Sequence, residues 1–222
     1  MAKIAKNDFV EIHYTGKIKI LDRIFDSSDE QIAKTNNIFS KNMKYGPIMI
    51  CIGEHNVIKG LDSKLENRET GKTYEIEISA EEGFGKKDPK LMKIVSAALF
   101  KKQNMQPYPG LQINADGAIA TVRSVNGGRI NLDFNHPLAG RDLIYTINVL
   151  RKVEDIKEQV ASLIKFNLLL PEDNFNIEIL EDTLKITSKI KIPASLQERF
   201  ERKVKLLIQK IKKVEFLEEK PK

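Results

Sequence analysis

Alternation marks the first strand. Along residues 8–20, Val10, Ile12 and Tyr14 fall on one face and Glu11, His13 and Thr15 on the other. A shorter strand is predicted over 24–27, and the polar stretch 27–46, rich in Ser, Asn and Lys, reads as a long loop. Residues 48–52 form a compact apolar strand closed by Gly53. Apolar positions 57, 58, 61 and 65 then follow helical spacing, with Gly71 in the stop region. Residues 73–79 alternate again, Tyr74, Ile76 and Ile78 against Glu75 and Glu77. Phe84 sits between Gly83 and Gly85, where the backbone can bend sharply.

From 86 to 137 the pattern changes. Pro89, Pro107, Pro109, the pair Asp116-Gly117 and the triplet Asn126-Gly127-Gly128 punctuate short strands predicted over 117–125 and 129–133. The Asn-Gly-Gly turn is a hairpin signal. Residues 143–150 return to the style of the first strand, so a β-rich insert interrupts one sheet. A third style begins at Asp155, which caps a predicted helix carrying Ile156, Val160, Leu163 and Ile164 on one face. Residues 175–180 and 183–192 read as a hairpin turning at Glu181-Asp182. After Pro193 one long amphipathic helix is predicted, striped by Leu196, Phe200, Val204, Leu207, Ile208, Ile211 and Val214. The expected fold is α+β: one domain from 1–85 and 138–153, an inserted domain over 86–137, and a C-terminal α+β domain over 154–222.

Composition narrows the function classes. A chain of 222 residues accommodates two or three domains, and 41% hydrophobic with 31% charged residues describes folded rather than disordered protein. The 37 basic and 31 acidic residues are interspersed, so a net charge of +6 permits acidic partners without demanding them. Cys51 is the only cysteine, which excludes an internal disulfide; between Ile50 and Ile52 it is expected to be a small buried hydrophobe. No stretch approaches ~18 apolar residues, so a cytoplasmic protein without membrane contact is expected. His55 and His136 stand at no ligand-like spacing from Cys51, so neither a metal site nor a cofactor is expected.

Several short segments gain meaning from their order. They are Val10-Glu11-Ile12-His13-Tyr14-Thr15-Gly16, Phe25-Asp26-Ser27-Ser28, and Ile52-Gly53-Glu54 running into Val57-Ile58-Lys59-Gly60-Leu61. Ile78-Ser79, Gly83-Phe84-Gly85 and residues 143–150 complete the set. No single segment is specific, but in this order they resemble the FKBP-type peptidyl-prolyl cis/trans isomerase family over residues 1 to about 153. About fifty residues separate the Gly-Phe-Gly turn from the last strand, ending in Asn135-His136-Pro137-Leu138-Ala139-Gly140. That interruption resembles the SlyD-like and long archaeal branch, which carries an insert-in-flap domain.

The resemblance implies an antiparallel sheet wrapped on a short helix, with X-Pro isomerisation in unfolded or nascent polypeptides as the activity. It implies a catalytic group of Tyr14, Asp26, Phe84 and the backbone N–H of Ile58. Asp26 is the rim carboxylate facing the rotating carbonyl, and the Ile58 N–H receives a substrate carbonyl. Phe25, Ile48, Ile50, Val57, Leu61, Leu138 and Tyr145 are the expected substrate-binding walls. Leu61 stands where short members carry Trp, and Phe84 where they carry a Tyr hydroxyl. A shallower, less polar pocket with weak macrolide binding is therefore expected. The sequence ends in Glu-Glu-Lys-Pro-Lys rather than a His- and Cys-rich tail, so nickel handling is not expected.

Within the insert, Leu91, Met92, Ile94, Val95, Leu99, Phe100 and Met105 form an apolar run flanked by lysines. So small a domain has little interior to fill, and these side chains are expected to line a groove for unfolded clients. The expected function is a prolyl isomerase with chaperone activity. The alternatives are a holding chaperone with little isomerase activity, or a ribosome- or nucleic-acid-associated folding factor. The basic residues Arg199, Arg202, Lys203, Lys205, Lys210, Lys212 and Lys213 read as a solvated helix face, so nucleic acid is not the expected partner. The stripe opposite them would suit a homodimer through the C-terminal domain.

Overall fold

The computed structural model describes residues 2–115 and 117–219, so Asp116 of the expected Asp116-Gly117 turn and the end of the Lys-Pro-Lys tail lie outside the described residues. The chain divides into two compact units, Met1–Glu77 with Ile144–Lys222, and Ile78–Leu143.

In the first unit come β1 (Phe9–Ile18), β2 (Arg23–Ser27), α1 (Glu30–Thr35), β3 (Ile48–Cys51), α2 (Lys59–Leu65) and β4 (Lys72–Ile78). The helix α1 occupies part of the stretch expected as loop. Its start is fixed by Asp29, whose carboxylate accepts the N–H groups of Gln31 (2.8 Å) and Ile32 (3.0 Å).

The insert contributes β5 (Met92–Ser96), α3 (Ala97–Lys102), β6 (Gln112–Ala115), β7 (Ala118–Asn126) and β8 (Arg129–Asp133). Then β9 (Leu143–Lys152) returns, followed by α4 (Ile156–Asn167), β10 (Phe175–Leu180), β11 (Thr183–Ser188), α5 (Ala194–Leu207) and β12 (Lys213–Glu218).

A five-stranded sheet runs in the order β2-β1-β9-β4, with β3 also on β1. β2 pairs with residues 15–18 of β1 and β3 with residues 9–12, both antiparallel, so the two short strands divide one edge of β1. Strand alternation separates two faces. Val10, Ile12 and Ile50 are buried on one, as are Leu61 and Leu65 of α2. Phe9 and Cys51, paired across β1 and β3, lie on the other.

That second face is covered by the C-terminal segment. Phe9, Cys51 and Val153 share a single hydrophobic core with Val160, Leu163 and Ile164 of α4, Ile177, Leu184 and Ile186 of the β10–β11 hairpin, and Phe200 and Val204 of α5. Ser162 of α4 donates to the Met49 carbonyl at 2.9 Å. Residues 154–219 are therefore fused to the rest of the first unit through its core.

The expected long final helix is corrected. α5 ends at Leu207, Ile211 precedes β12 and Val214 lies in it, and β12 pairs parallel with β11 (Leu184 opposite Val214). Ile208, Ile211 and Val214 are buried as the stripe required, at 4%, 2% and 8% exposure, but from a turn and a strand. Phe200, Val204, Ile208, Ile211 and Val214 of the stripe pack in one core within the chain, while Leu196 is exposed. Among the basic residues once placed on this helix, Lys203 pairs with Glu54, Lys205 with Glu201, Lys212 with Asp182 and Lys213 with Glu215.

The second unit is a four-stranded sheet in the order β5-β8-β7-β6 with its own core of Phe100, Ala120, Val122, Ile130 and Leu132. The strands that enter and leave it are tied by Asp133, which is 1% exposed. Its carboxylate accepts from Lys87 (2.9 Å), Arg123 (2.9 Å) and both the backbone (2.9 Å) and side-chain (2.8 Å) nitrogens of Asn135. Burial opposes its ionisation, yet these four donors prevail and hold the carboxyl well below the usual carboxylate range. Among the described residues no helix is long and apolar enough to cross a membrane.

Candidate functional site

The site is built on the β1–β2 pair. Tyr14 leaves β1 and Asp26 leaves β2, and the Tyr14 hydroxyl donates to the Asp26 carboxylate at 3.1 Å. Tyr145 of β9 stands beside both, its ring 6.4 Å from that of Tyr14 and in edge contact with Phe25 at 5.9 Å. Tyr14, Phe25 and Asp26 are half-buried, and Tyr145 is buried.

Gly16 makes this packing possible. A Cβ there would lie 2.7 Å from Phe25 Cζ and 2.9 Å from Tyr145 Cε1, closer than carbon atoms approach. It also sits where the β1–β2 register shifts. Changing Gly16 to Ala is expected to displace both rings, costing about 1–3 kcal/mol of stability and several-fold in activity. Denaturant unfolding beside a proline-peptide assay measures both.

Behind the rings a polar seam locks β1 to the end of β2. Ser28 Oγ accepts the Tyr14 N–H at 2.9 Å and lies 3.0 Å from His13 Nδ1, while Ser27 Oγ meets Thr15 Oγ1 at 2.9 Å. His13 is half-buried in this seam.

Burial dominates the electrostatics. It raises the pKa of Asp26 above the ordinary carboxylate value, against the hydrogen bonds from Tyr14 and the Ser27 backbone that pull it down. Burial first, then the Asp26 charge, pushes the Tyr14 and Tyr145 phenols well above theirs. Both hydroxyls therefore stay protonated at neutral pH, and the one at Tyr14 holds the carboxylate. The arrangement offers one partly desolvated carboxylate beside three aromatic rings. The described residues contain no cluster of three or more His, Cys, Asp or Glu side chains able to hold a metal.

Val57 and Ile58 are half-buried at the loop leading into α2, which starts after Ile58 without a side-chain cap. Ile48 is half-buried on β3. Ile50 and Leu61 depart from their expected role as pocket walls. At 0% and 2% exposure their side chains are built into the core. Phe84 and Leu138 belong to the second unit, where both are half-buried and Phe84 stacks on His136 at 4.4 Å.

The apolar run of the insert is split. Phe100 is 3% exposed and Val95 and Met105 pack on it, so these three build the insert's core instead of a groove. α3 is short and must cover the sheet, and Phe100 is the side chain that does so. Leu91 (40%), Ile94 (70%) and Leu99 (52%) are exposed, and Met92 is half-buried. Sequence reasoning missed Ile119, 66% exposed on β7, because a lone Ile in an alternating strand carries no signal of its side. A cavity of about 460 Å³ lies beside Ile94, lined also by Ser124, Asn126, Gly127, Arg129 and Asn131.

Comparison with known proteins gives two family matches. Residues 1–102 match FKBP-type peptidyl-prolyl cis-trans isomerase, and residues 93–138 match the IF domain of FKBP26. The short-type peptidyl-prolyl cis-trans isomerase of Methanocaldococcus jannaschii is 32% identical over 146 residues, covering 66% of this chain and 92% of that protein. The FKBP-type peptidyl-prolyl cis-trans isomerase SlyD of Haemophilus influenzae is 29% identical over 119 residues, 52% of this chain and 62% of that one. SlyD of Treponema pallidum is 29% identical over 166 residues, 73% of this chain and 85% of its own.

Proposed function

The chain belongs to the FKBP-type peptidyl-prolyl cis-trans isomerase family, and we propose that it turns over X-Pro bonds in non-native polypeptide at the Tyr14–Asp26 site while its insert holds that polypeptide nearby. The observation that carries this reading is the half-buried Asp26 carboxylate, fixed by the Tyr14 hydroxyl 3.1 Å away beside the Phe25 and Tyr145 rings.

The reaction needs no nucleophile. Amide resonance sets a barrier of about 18–20 kcal/mol, and rotation destroys that resonance. A planar amide is strongly polarised, so an aromatic, water-poor surface favours it less than the twisted form. In this proposal the prolyl ring packs on Phe25 and Tyr145, and Asp26 faces the rotating carbonyl. The Ile58 N–H holds a flanking carbonyl. Unfolded or nascent chains containing proline are the substrates, in the cytoplasm, and the exposed Leu91, Ile94 and Leu99 of the insert are the surface that retains them.

The test is Asp26→Ala and Asp26→Asn on a proline tetrapeptide. Both should lower kcat/KM by about tenfold or more. Activity of the unaltered protein should fall on acidification at a pH above the usual Asp value of about 3.9, as Asp26 takes up its proton, and Asp26→Asn should lack that limb. The sign for stability is opposite. A raised folded-state pKa means the ionised form is disfavoured by folding above the unfolded value, so Asp26→Asn should resist urea at least as well at pH 7. Unchanged turnover in both variants rejects the site.

A further inference from the structure

The loop between β3 and α2 carries Val57 and Ile58, and nearly every one of its preceding residues is pinned. Asn56 Oδ1 accepts the Cys51 N–H at 2.8 Å. Asp62 of α2, 2% exposed, accepts the N–H of Gly53 at 2.9 Å and of His55 at 3.1 Å, with His55 Nδ1 3.3 Å away. His55 itself has a φ of +54°, a backbone conformation that a residue with a Cβ keeps only when it is held there.

Glu54, the residue between these anchors, turns toward a different element. Its carboxylate meets Lys203 of α5 at 2.5 Å, with side-chain exposures of only 16% and 27%. Lys203 lies between Phe200 and Val204, both buried in the core that joins α5 to Cys51 and Phe9. The same core thus fixes the helix that presents the ammonium and the end of the strand from which the loop departs. The Cys51 thiol registers this neighbourhood, its pKa pushed up to about 12 by burial first and then by the Glu54 and Asp62 charges.

We propose that the C-terminal segment is a positioning element of the isomerase site, its Lys203 holding Glu54 so that the β3–α2 loop presents Val57 and Ile58 to substrate. Residues 154–222 then act on catalysis without touching the prolyl bond. The idea rests on the role given to Ile58 in the proposed function, with Val57 beside it as an expected wall. It explains why the chain invests a shared core and a poorly solvated ion pair behind a loop that Asp62 and Asn56 already shape.

The experiment uses the full-length chain and a proline tetrapeptide. Lys203→Met and Glu54→Gln should each lower kcat/KM about three- to fivefold, through KM more than kcat, because they loosen substrate placement. The exchanged pair Glu54→Lys with Lys203→Glu should recover at least half of the loss. Urea unfolding, with activity measured where each variant is folded, separates positioning from destabilisation. Retained kcat/KM in both single variants, or an exchanged pair no better than either, overturns the proposal. If Asp26→Ala is also without effect, the site assignment itself has failed. If Asp26→Ala lowers turnover while Lys203→Met does not, the brace alone is wrong.

Discussion

Replacing residues 86–137 with a short Gly-rich loop is expected to leave tetrapeptide isomerisation within about threefold of the intact protein while slowing catalysed refolding of a proline-limited protein by about a hundredfold. The asymmetry follows from how each substrate arrives. A tetrapeptide finds the Tyr14–Asp26 site by its own diffusion and gains nothing from a second binding surface. Under the proposed function, a denatured chain held on the insert would reach the site intramolecularly, with an avidity that can exceed either single affinity by about 10²–10⁴. The first unit retains its buried residues and the core shared with α4 and α5 when the insert is removed, so the peptide reaction tests that unit fairly. Ile94→Asp, on an exposed position that leaves the core of Phe100 and Ile130 intact, should reproduce part of the refolding loss without deleting anything. Equal losses in the two assays would contradict the division of labour.

Several strands of this protein were legible because one face of each is buried, even where the partner strand is distant, as β9 is from β1. β1, β4 and the β10–β11 hairpin alternate, and the alternation survives in their exposure. The Tyr14–Asp26 pair followed from motif order, since nothing in the spacing of a Tyr and an Asp twelve residues apart predicts a 3.1 Å hydrogen bond. Three features resisted. α1 has only Ala33 fully buried, so no apolar period announced it; the one signal was Asp29 placed to cap it. The segment after Leu207 kept apolar residues three apart at Ile208, Ile211 and Val214, which fits a helix as well as the turn and strand observed. Parallel pairing with β11, about thirty residues upstream, decided between them, and single-sequence periodicity does not see such pairing.

The third feature concerns the tail as a whole. A change of pattern at Asp155 signalled a new domain, whereas Phe9 and Cys51 share the tail's core. Cys51 was read correctly as a small buried hydrophobe, but its cover comes from residues more than a hundred positions away. Contacts of that separation leave no trace in local composition. The Cys51 side of β3 is thus covered by α4 and α5.

Asp133→Ala is expected to unfold the insert selectively, lowering its stability by about 2–4 kcal/mol. A piece this small has only a few kcal/mol to lose, so amide protons of β7 and β8 should lose most of their protection while those of β1 and β9 keep theirs. Lys87 and Arg123, with side chains 40% and 36% exposed, can rehydrate once the carboxylate is gone. Asn135, 8% exposed, cannot: its backbone nitrogen loses its acceptor, and its side-chain nitrogen is left with the Asp88 carbonyl alone at 3.1 Å. The same carboxylate makes a pH prediction of definite sign. Its folded-state pKa is held below the unfolded value of about 3.9, so its contribution is complete above that pH and is lost as the solution is acidified through it toward the folded-state value. Protection in β7 and β8 should accordingly be flat from neutrality to about pH 5 and then weaken, and Asp133→Asn, which cannot ionise, should show low protection with a shallower acid dependence. An alanine variant whose insert exchanges as slowly as the unaltered protein would show that Asp133 does not hold the neck of the insert.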